Sequence, residues 1–380
     1  MLKKLKRFVI GSAHGLGVTS LVLNSGWRRQ KLLILCYHGV SLDDEHQWAP
    51  DLYLSPGDLR ERFRILTELG CSVIPLEVGL RLLSEDRLPP KAVTLTFDDG
   101  TFDFYSLTAP ALRDSGFPAT LYYTTYYSNY NRPVFDPMCS YLLWKARRKR
   151  FTLEGFLDDE IDLEREHFEL AAVRIQERAL ELGLSAVEKD FLLFDLADRL
   201  GVDYDAICRK RILHLMTPAE AREVASDNLK LELHTHRHRV SRSRRLFQRE
   251  ILQNREHIAA VTPTPARHFC YPCGVYEGDF PEWLSRLGVQ SATTCEPGLA
   301  TRSSQIYRLP RLVDSSLLTT AEFRAWIAGY PALFPHRKPV IPTNQFLEET
   351  RTGEGDDSTI DDRRHDAAEY AGAPDSNRPR

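Results

Sequence analysis

The sequence predicts an α/β chain built on a largely parallel sheet, and three observations lead there. From Lys31 onward, short apolar runs alternate with stretches of helical spacing, the pattern of strands buried on both faces and joined by helices. Several of the apolar runs end in ionisable residues, as in barrel enzymes, whose active sites sit at the C-terminal ends of the strands. The chain has 380 residues, enough for one barrel of roughly 250 residues with appendages.

The elements follow in order. Leu32 to Tyr37 is apolar throughout and reads as a buried strand. Ser55-Pro56 opens a helix carried by Leu59, Phe63 and Leu66, since a Ser cap followed by Pro suits a first turn. Ser72 to Pro75 reads as a second strand and Glu77 to Ser84 as a helix. Val93 to Phe97 is a strand that runs straight into Asp98-Asp99-Gly100, a helix lies around Ser106 to Ser115, and Ala119 to Thr124 is a further strand. Residues 129–216 are rich in Leu, Glu, Arg and Ala without strand-like alternation, and are read as a helical insertion. Its basic run Lys145 to Arg150 is answered by Asp158, Asp159, Glu160, Asp162, Glu164 and Glu166, which describes a solvated surface.

Strands resume at Leu229 to Leu233. An amphipathic helix from Ser243 to Val261, a strand at His268 to Tyr271, a helix from Asp279 to Leu287 and a strand at Gln290 to Thr294 follow. Arg308 to Leu312 is expected as the last strand and Thr320 to Ala328 as the last helix. The expected organisation is thus an N-terminal basic and apolar segment 1–30, a barrel from 31–128 and 217–330, the insertion between them, and a disordered acidic tail over 343–380.

Composition excludes several classes. With 42% hydrophobic and 27% charged residues and a net charge of −3, the chain is neither collagenous nor wholly disordered. It lacks the strongly basic balance of a nucleic-acid binder, so no nucleic-acid partner is expected. Seven cysteines, of which only Cys270 and Cys273 lie close together, give no disulfide framework. That lone C-x-x-C has no second pair to complete a zinc or redox site. Lys3, Lys4, Lys6 and Arg7 precede an uncharged stretch from Phe8 to Trp27, diluted by His14, Asn24, Ser and Gly. It reads as a surface or interfacial helical segment with peripheral membrane association. Free cysteines and a weak leader favour the cytoplasm or its membrane face over secretion.

Two strand ends carry the chemistry. Adjacent carboxylates at Asp98 and Asp99 repel, a cost relieved by a bound cation or by protonation of one of them; a strand-end Asp-Asp-Gly is also an ordinary turn. His234-Thr-His-Arg-His238 follows a buried strand. Imidazoles four residues apart converge on one metal where the chain turns, and one Asp oxygen completes a three-ligand set suited to Zn²⁺, with Co²⁺, Ni²⁺ or Fe²⁺ as alternatives. His236 then points elsewhere and is a bystander.

These motifs carry a resemblance. Thr96-Phe-Asp-Asp-Gly100 and His234-Thr-x-x-His238 resemble the first two motifs of the polysaccharide deacetylases, the NodB-homology carbohydrate esterases. Tyr37-His-Gly-Val40 resembles the family's opening strand, and Phe269-Cys-Tyr-Pro-Cys-Gly274 resembles its Phe-x-Tyr-Pro-Tyr-Gly segment. Thr293-Thr294 through Gly298 and Tyr307 to Arg311 are similar to its later part. The resemblance implies a distorted (β/α) barrel of the NodB-homology type and metal-dependent removal of N-acetyl groups from an N-acetylhexosamine saccharide.

Carried over residue by residue, it implies Asp99, His234 and His238 as metal ligands and Asp98 as general base. It further implies an oxyanion donor in the Tyr271-Pro-Cys273-Gly274 turn. Two departures stand out. Cys270 occupies a position where one branch of the family has an Arg that orients the base. The family's late Leu-x-His acid is also missing, since only His336 follows Asp314, so His38, at the end of the first strand, is the better candidate for general acid. Hydrolysis of another amide or of an O-acetyl ester, and a non-catalytic glycan-binding barrel, stay open as alternatives. The basic run from Arg237 to Arg249, the faces of Trp144, Trp283 and Trp326, and Asp314 as a cleft acid are weaker candidates, each with an ordinary structural explanation.

Overall fold

A computed structural model describes residues 17–333 and divides them into two compact units, 17–132 with 210–333 and 133–209. The expected tail, His336 and residues 1–16 of the N-terminal segment lie outside the described residues.

In the larger unit, eight parallel strands alternate with helices. They are β1 (Leu33–Tyr37), β2 (Ser72–Val73), β3 (Ala92–Phe97), β4 (Ala119–Tyr123), β5 (Leu229–Leu233), β6 (His268–Cys270), β7 (Ser291–Thr293) and β8 (Leu312–Val313). The order across the sheet is β7-β6-β5-β4-β3-β1-β8, with β2 on the first half of β3. Every pairing within it is parallel. The principal helices of this unit are α1 (Val18–Leu23), α2 (Pro56–Glu68), α3 (Leu76–Ser84), α4 (Ala109–Ser115), α5 (Arg244–Val261), α6 (Phe280–Arg286) and α7 (Thr320–Ala328). Ser55 caps α2 through a reciprocal bond with Asp58, with Pro56 in the first turn, as the Ser-Pro start predicts.

Because side chains alternate along a strand, the sheet has two distinct faces. Leu33, Leu35, Leu95, Leu121, Leu231 and Phe269 join the helices in one large apolar core. The opposite set includes Ile34, Ala92, Tyr122 and Cys270 in a smaller cluster, and continues through Cys36, Thr96 and Asp98 towards the strand ends. The last strand departs from expectation. Regular pairing with β1 starts only at Leu312, whereas Leu309 bridges to Thr293 of β7. Pro310 has no N–H to extend a ladder, so one short segment pairs with β7 before the proline and with β1 after it. That segment closes the sheet into the distorted barrel.

Arg28 locks the N-terminal part of the unit to the barrel. It is fully buried and donates to the carbonyls of Ile327, Lys31 and Ala92. Thr19 and Leu23 of α1 are buried as well, while Leu21 is exposed. Among the described residues no helix is long and apolar enough to cross a membrane.

The smaller unit packs three helices, Phe135–Lys145, Phe168–Glu181 and Ala186–Leu200, with a short helix Tyr204–Arg209. It also holds a two-stranded antiparallel ribbon, Arg150–Phe151 with Ile161–Asp162, which the helical reading of this region did not anticipate. The ribbon brings Arg150 to Asp162 and Glu164, so the basic and acidic runs pair at the surface. Trp144 is buried against Tyr141, Trp326 is buried in the barrel unit and Trp283 packs on Phe247 and Phe280. These tryptophans are core residues.

Truncating Arg28 to Ala strands the buried carbonyls of Ile327 and Ala92 and frees the half-buried one of Lys31, and each buried carbonyl costs about 1–3 kcal/mol unpaired. Urea unfolding of the R28A variant is expected to show a loss of about 3 kcal/mol, with the metal affinity of the folded fraction unchanged.

Candidate metal centre and its carboxylate pair

The centre forms where β3 and β5 end. Asp99 and Gly100 both adopt left-handed backbone, at φ 70° and 82°, which turns the chain sharply after β3. Gly100 is required there, because a Cβ would meet the Tyr123 ring at 2.4 Å. The turn places Asp98, almost fully buried, beside the more open Asp99.

The loop after β5 is wound in the same way, with positive φ at Thr235 and His238. It brings Nε2 of His234 and Nε2 of His238 each to 3.2 Å from Asp99 Oδ1. Tetrahedral ligands at about 2.0–2.2 Å from one zinc lie about 3.3 Å apart, so the spacing fits a shared divalent ion. Asp99 Oδ1 is also a buried atom without a hydrogen-bond partner. The outer nitrogen of His234, Nδ1, lies 2.9 Å from the carbonyl of Cys270; donation there leaves Nε2 as the free ligand atom, the usual arrangement of a metal histidine. Burial disfavours the charged form of His238, but the Asp99 carboxylate outweighs it and raises the pKa. Burial pushes Asp99 upward, and the two imidazoles override it to hold the carboxyl well below its usual range. His236 turns away to Thr125 Oγ1 and stacks on His257.

Asp98 has a different partner. Arg311 Nη1 and Nη2 reach its two oxygens at 2.8 and 2.7 Å, and both side chains are buried. The remaining Arg311 donors go to Thr294 O, Thr96 Oγ1 and Cys270 Sγ, so all five N–H groups are satisfied. Burial raises the Asp98 pKa, yet the guanidinium prevails and holds it well below the usual carboxylate range. Two thiols complete the surround, Cys36 Sγ at 3.6 Å and Cys270 Sγ at 3.4 Å from Asp98 Oδ2. Burial keeps both protonated by pushing their pKa values far up.

Cys36 with His38 and Asp98, and Asp98 with His234 and Cys270, also cluster within 4.8 Å. Arg311 already neutralises Asp98 in those two groups, which leaves Asp99, His234 and His238 as the set suited to a cation.

Arg311 is the residue that sequence reasoning missed. Its signal was available: with Cys270 in place of the family's arginine, a compensating cation was needed. The run Arg308-Leu-Pro-Arg311 leads directly into the last apolar pair, Leu312-Val313, before Asp314.

The remaining expected residues divide. His38 lies with Nε2 3.7 Å from Asp98 Oδ2, and burial lowers its pKa against the pull of the two carboxylates. Its Nδ1 is buried without a hydrogen-bond partner. In the expected oxyanion turn, two residues spend their donors on internal hydrogen bonds. The Gly274 N–H donates to Tyr271 O, and the buried Tyr271 hydroxyl donates to Tyr307 O. Cys273 is exposed and held at φ 52°. Gly274 serves instead as a spacer, since a Cβ there would meet Cys295 at 3.0 Å. Asp314 is not a cleft acid: it is fully buried and ion-paired with Arg62 Nε at 2.9 Å, its pKa pushed up by burial to about 6. Within the basic run, Arg237 is bonded to Glu250 and Arg242 to Glu277.

Comparisons with known proteins agree with this geometry. Residues 185–292 match the polysaccharide deacetylase family, a stretch that takes in His234, His238 and the Cys270–Gly274 turn. The poly-β-1,6-N-acetyl-D-glucosamine N-deacetylase of Escherichia coli K12 is 24% identical over 331 residues, 87% of this chain and 43% of that protein. The protein of the same name from Escherichia coli O157:H7 gives the same figures. The chain therefore spans less than half the length of these curated relatives. A Streptococcus pyogenes deacetylase solved with acetate superposes with a TM-score of 0.52 at 17% identity, covering 80% of this chain and 99% of that one. The resemblance to polysaccharide deacetylases and the NodB-type barrel are thus borne out.

Elemental analysis of the purified protein is expected to find about one divalent metal per chain. His234→Ala should lose it, and Asp98→Asn, which leaves all three ligands in place, should keep it.

Proposed function

We propose that the chain is a metal-dependent deacetylase that hydrolyses the N-acetyl group of an N-acetylhexosamine polymer, with β-1,6-linked N-acetylglucosamine as the favoured substrate. The observation that carries this reading is a buried carboxylate, Asp98, held in a bidentate fork by Arg311 directly beside the Asp99, His234 and His238 set. A binding module has no use for a base clamped next to a cation site. The linkage preference draws on the name carried by the two Escherichia coli relatives.

A divalent metal held by Asp99, His234 and His238, zinc being the best match to the donor set, would polarise the acetyl carbonyl and make the attacking water more acidic. Asp98 takes the water's proton on Oδ2, the oxygen that faces His38, while the Arg311 fork keeps the carboxylate from rotating. The Cys273 N–H faces the negative charge that develops on the acetyl oxygen. A neutral His38, the form that burial favours, receives the proton at Nε2 and passes it to the departing amine. The N-acetyl amide and water become acetate and a protonated amine: one proton of the water reaches the leaving nitrogen through Asp98 and His38, and the second leaves the acetic acid as it ionises.

Acetate release from β-1,6-linked N-acetylglucosamine oligomers, run against β-1,4-linked oligomers, tests the reading. Wild type should release acetate faster from the first, and Asp98→Asn should lower kcat on the order of a thousandfold. Equal turnover by wild type and Asp98→Asn would overturn it.

The pH profile gives an independent check, because Arg311 opposes the upward push of burial on Asp98. Arg311→Met should move the acid limb of kcat/KM upward, so that activity is lost first at low pH and partly recovered as pH rises. An unshifted limb would remove Arg311 from the mechanism.

A further inference from the structure

We infer that Asn254 and Glu250, one turn apart on α5, are positioning residues that set the separation of the metal ligands; the inference rests on the metal site of the proposed function. Both side chains are fully buried, an unusual place for an amide and a carboxylate unless each is fully bonded. They occupy the apolar stripe of α5 among Phe247, Ile251 and Ile258.

Asn254 touches the His234 half of the metal set directly and reaches the Asp99 half through the end of β4. Its Oδ1 accepts the backbone N–H of His234 at 2.9 Å. Its Nδ2 donates to Tyr123 O at 2.9 Å and to Thr125 Oγ1 at 3.0 Å. Between those two residues, Thr124 donates its N–H to the carbonyl of Asp99 at 3.1 Å. One amide thus ties the backbone that carries His234 to the end of β4, which in turn holds the backbone of Asp99.

Glu250 fixes the middle of the histidine loop. Its Oε2 accepts the Arg237 N–H at 2.7 Å, and its Oε1 accepts Arg237 Nη1 at 2.8 Å. The two left-handed residues of the loop, Thr235 and His238, flank that anchor, so the carboxylate holds a conformation costly for side chains other than glycine.

The test measures metal binding in the absence of substrate. Zinc affinity by chelator competition and the ligand-field spectrum of the Co²⁺-loaded protein are compared for wild type, Asn254→Leu, Glu250→Gln and Ile258→Ala. The last is a control, a buried residue on the same helix whose side chain faces the core. Asn254→Leu should weaken zinc binding by roughly ten- to a hundredfold and shift the Co²⁺ spectrum. Glu250→Gln, which keeps one acceptor for the Arg237 N–H, should move both readouts less in the same direction. Ile258→Ala should lower the Tm and change neither.

Should Asn254→Leu fail to fold, Asn254→Asp replaces it; protonated, it keeps the acceptor and one donor, and an intermediate loss is expected. Zinc affinity and Co²⁺ spectra of the Asn254 and Glu250 variants that match the Ile258→Ala control would overturn the inference alone. A wild-type protein that binds neither metal would overturn the metal site itself, and the inference with it.

Discussion

The buried pair of Asp98 and Arg311 is the constraint on which the rest of the site depends. Two adjacent carboxylates at the closed end of a strand are unstable as dianions without compensation. The molecule separates their environments. Asp98 receives a permanent cation in a bidentate fork whose guanidinium is sealed from solvent, its carboxylate only 2% exposed, and Asp99 is left with imidazoles and an oxygen that lacks a hydrogen-bond partner. The first is then kept apart from the three residues suited to a cation, as its proposed role of base requires. Burying such a pair costs several kcal/mol in desolvation, and removing one partner would leave the other charge stranded. Strength follows from completeness: every donor of the guanidinium has an acceptor, and the two thiols near Asp98 stay neutral and do not compete for its charge.

The barrel's closure explains why an arginine so distant in sequence can do this. Pro310 breaks the ladder between β7 and β8, and the one segment that joins the two edges delivers Arg311 into the lumen. On the far side, α5 packs with its apolar stripe yet spends two positions of that stripe on polar groups that hold loops. The same economy recurs at Gly100, where the absence of a side chain lets the Asp-Asp turn lie against Tyr123. Site geometry and barrel packing are therefore set by the same residues.

Much of this was legible in the sequence. The strand and helix order of the barrel followed from apolar runs and caps, because strands buried on both faces leave an unmistakable pattern. Asp98, Asp99, His234 and His238 were found because ionisable residues at strand ends are costly unless used. The short ribbon at Arg150 and Ile161 escaped notice since two-residue strands have no periodicity. The last strand was placed too early because Arg308 to Leu312 has strand-like composition, and only three-dimensional closure shows which half pairs with which edge. Arg311, Asn254 and Glu250 act through partners distant in the chain, and local pattern does not reveal such pairings. For Tyr271 and Gly274, the motif located the turn and left open how its own hydrogen bonds consume the donors.

The separation of Asp98 from Arg311 by 213 positions has a consequence for biosynthesis. At about 5–20 residues per second, a ribosome delivers the carboxylate on the order of ten to forty seconds before its counter-ion. During that interval the barrel has an open edge, and a buried Asp98 would have no guanidinium to keep it charged. The closing segment, among the last parts of the barrel to be made, therefore completes the proposed site, so a chain truncated before Pro310 carries every proposed ligand and still lacks the guanidinium fork that fixes Asp98.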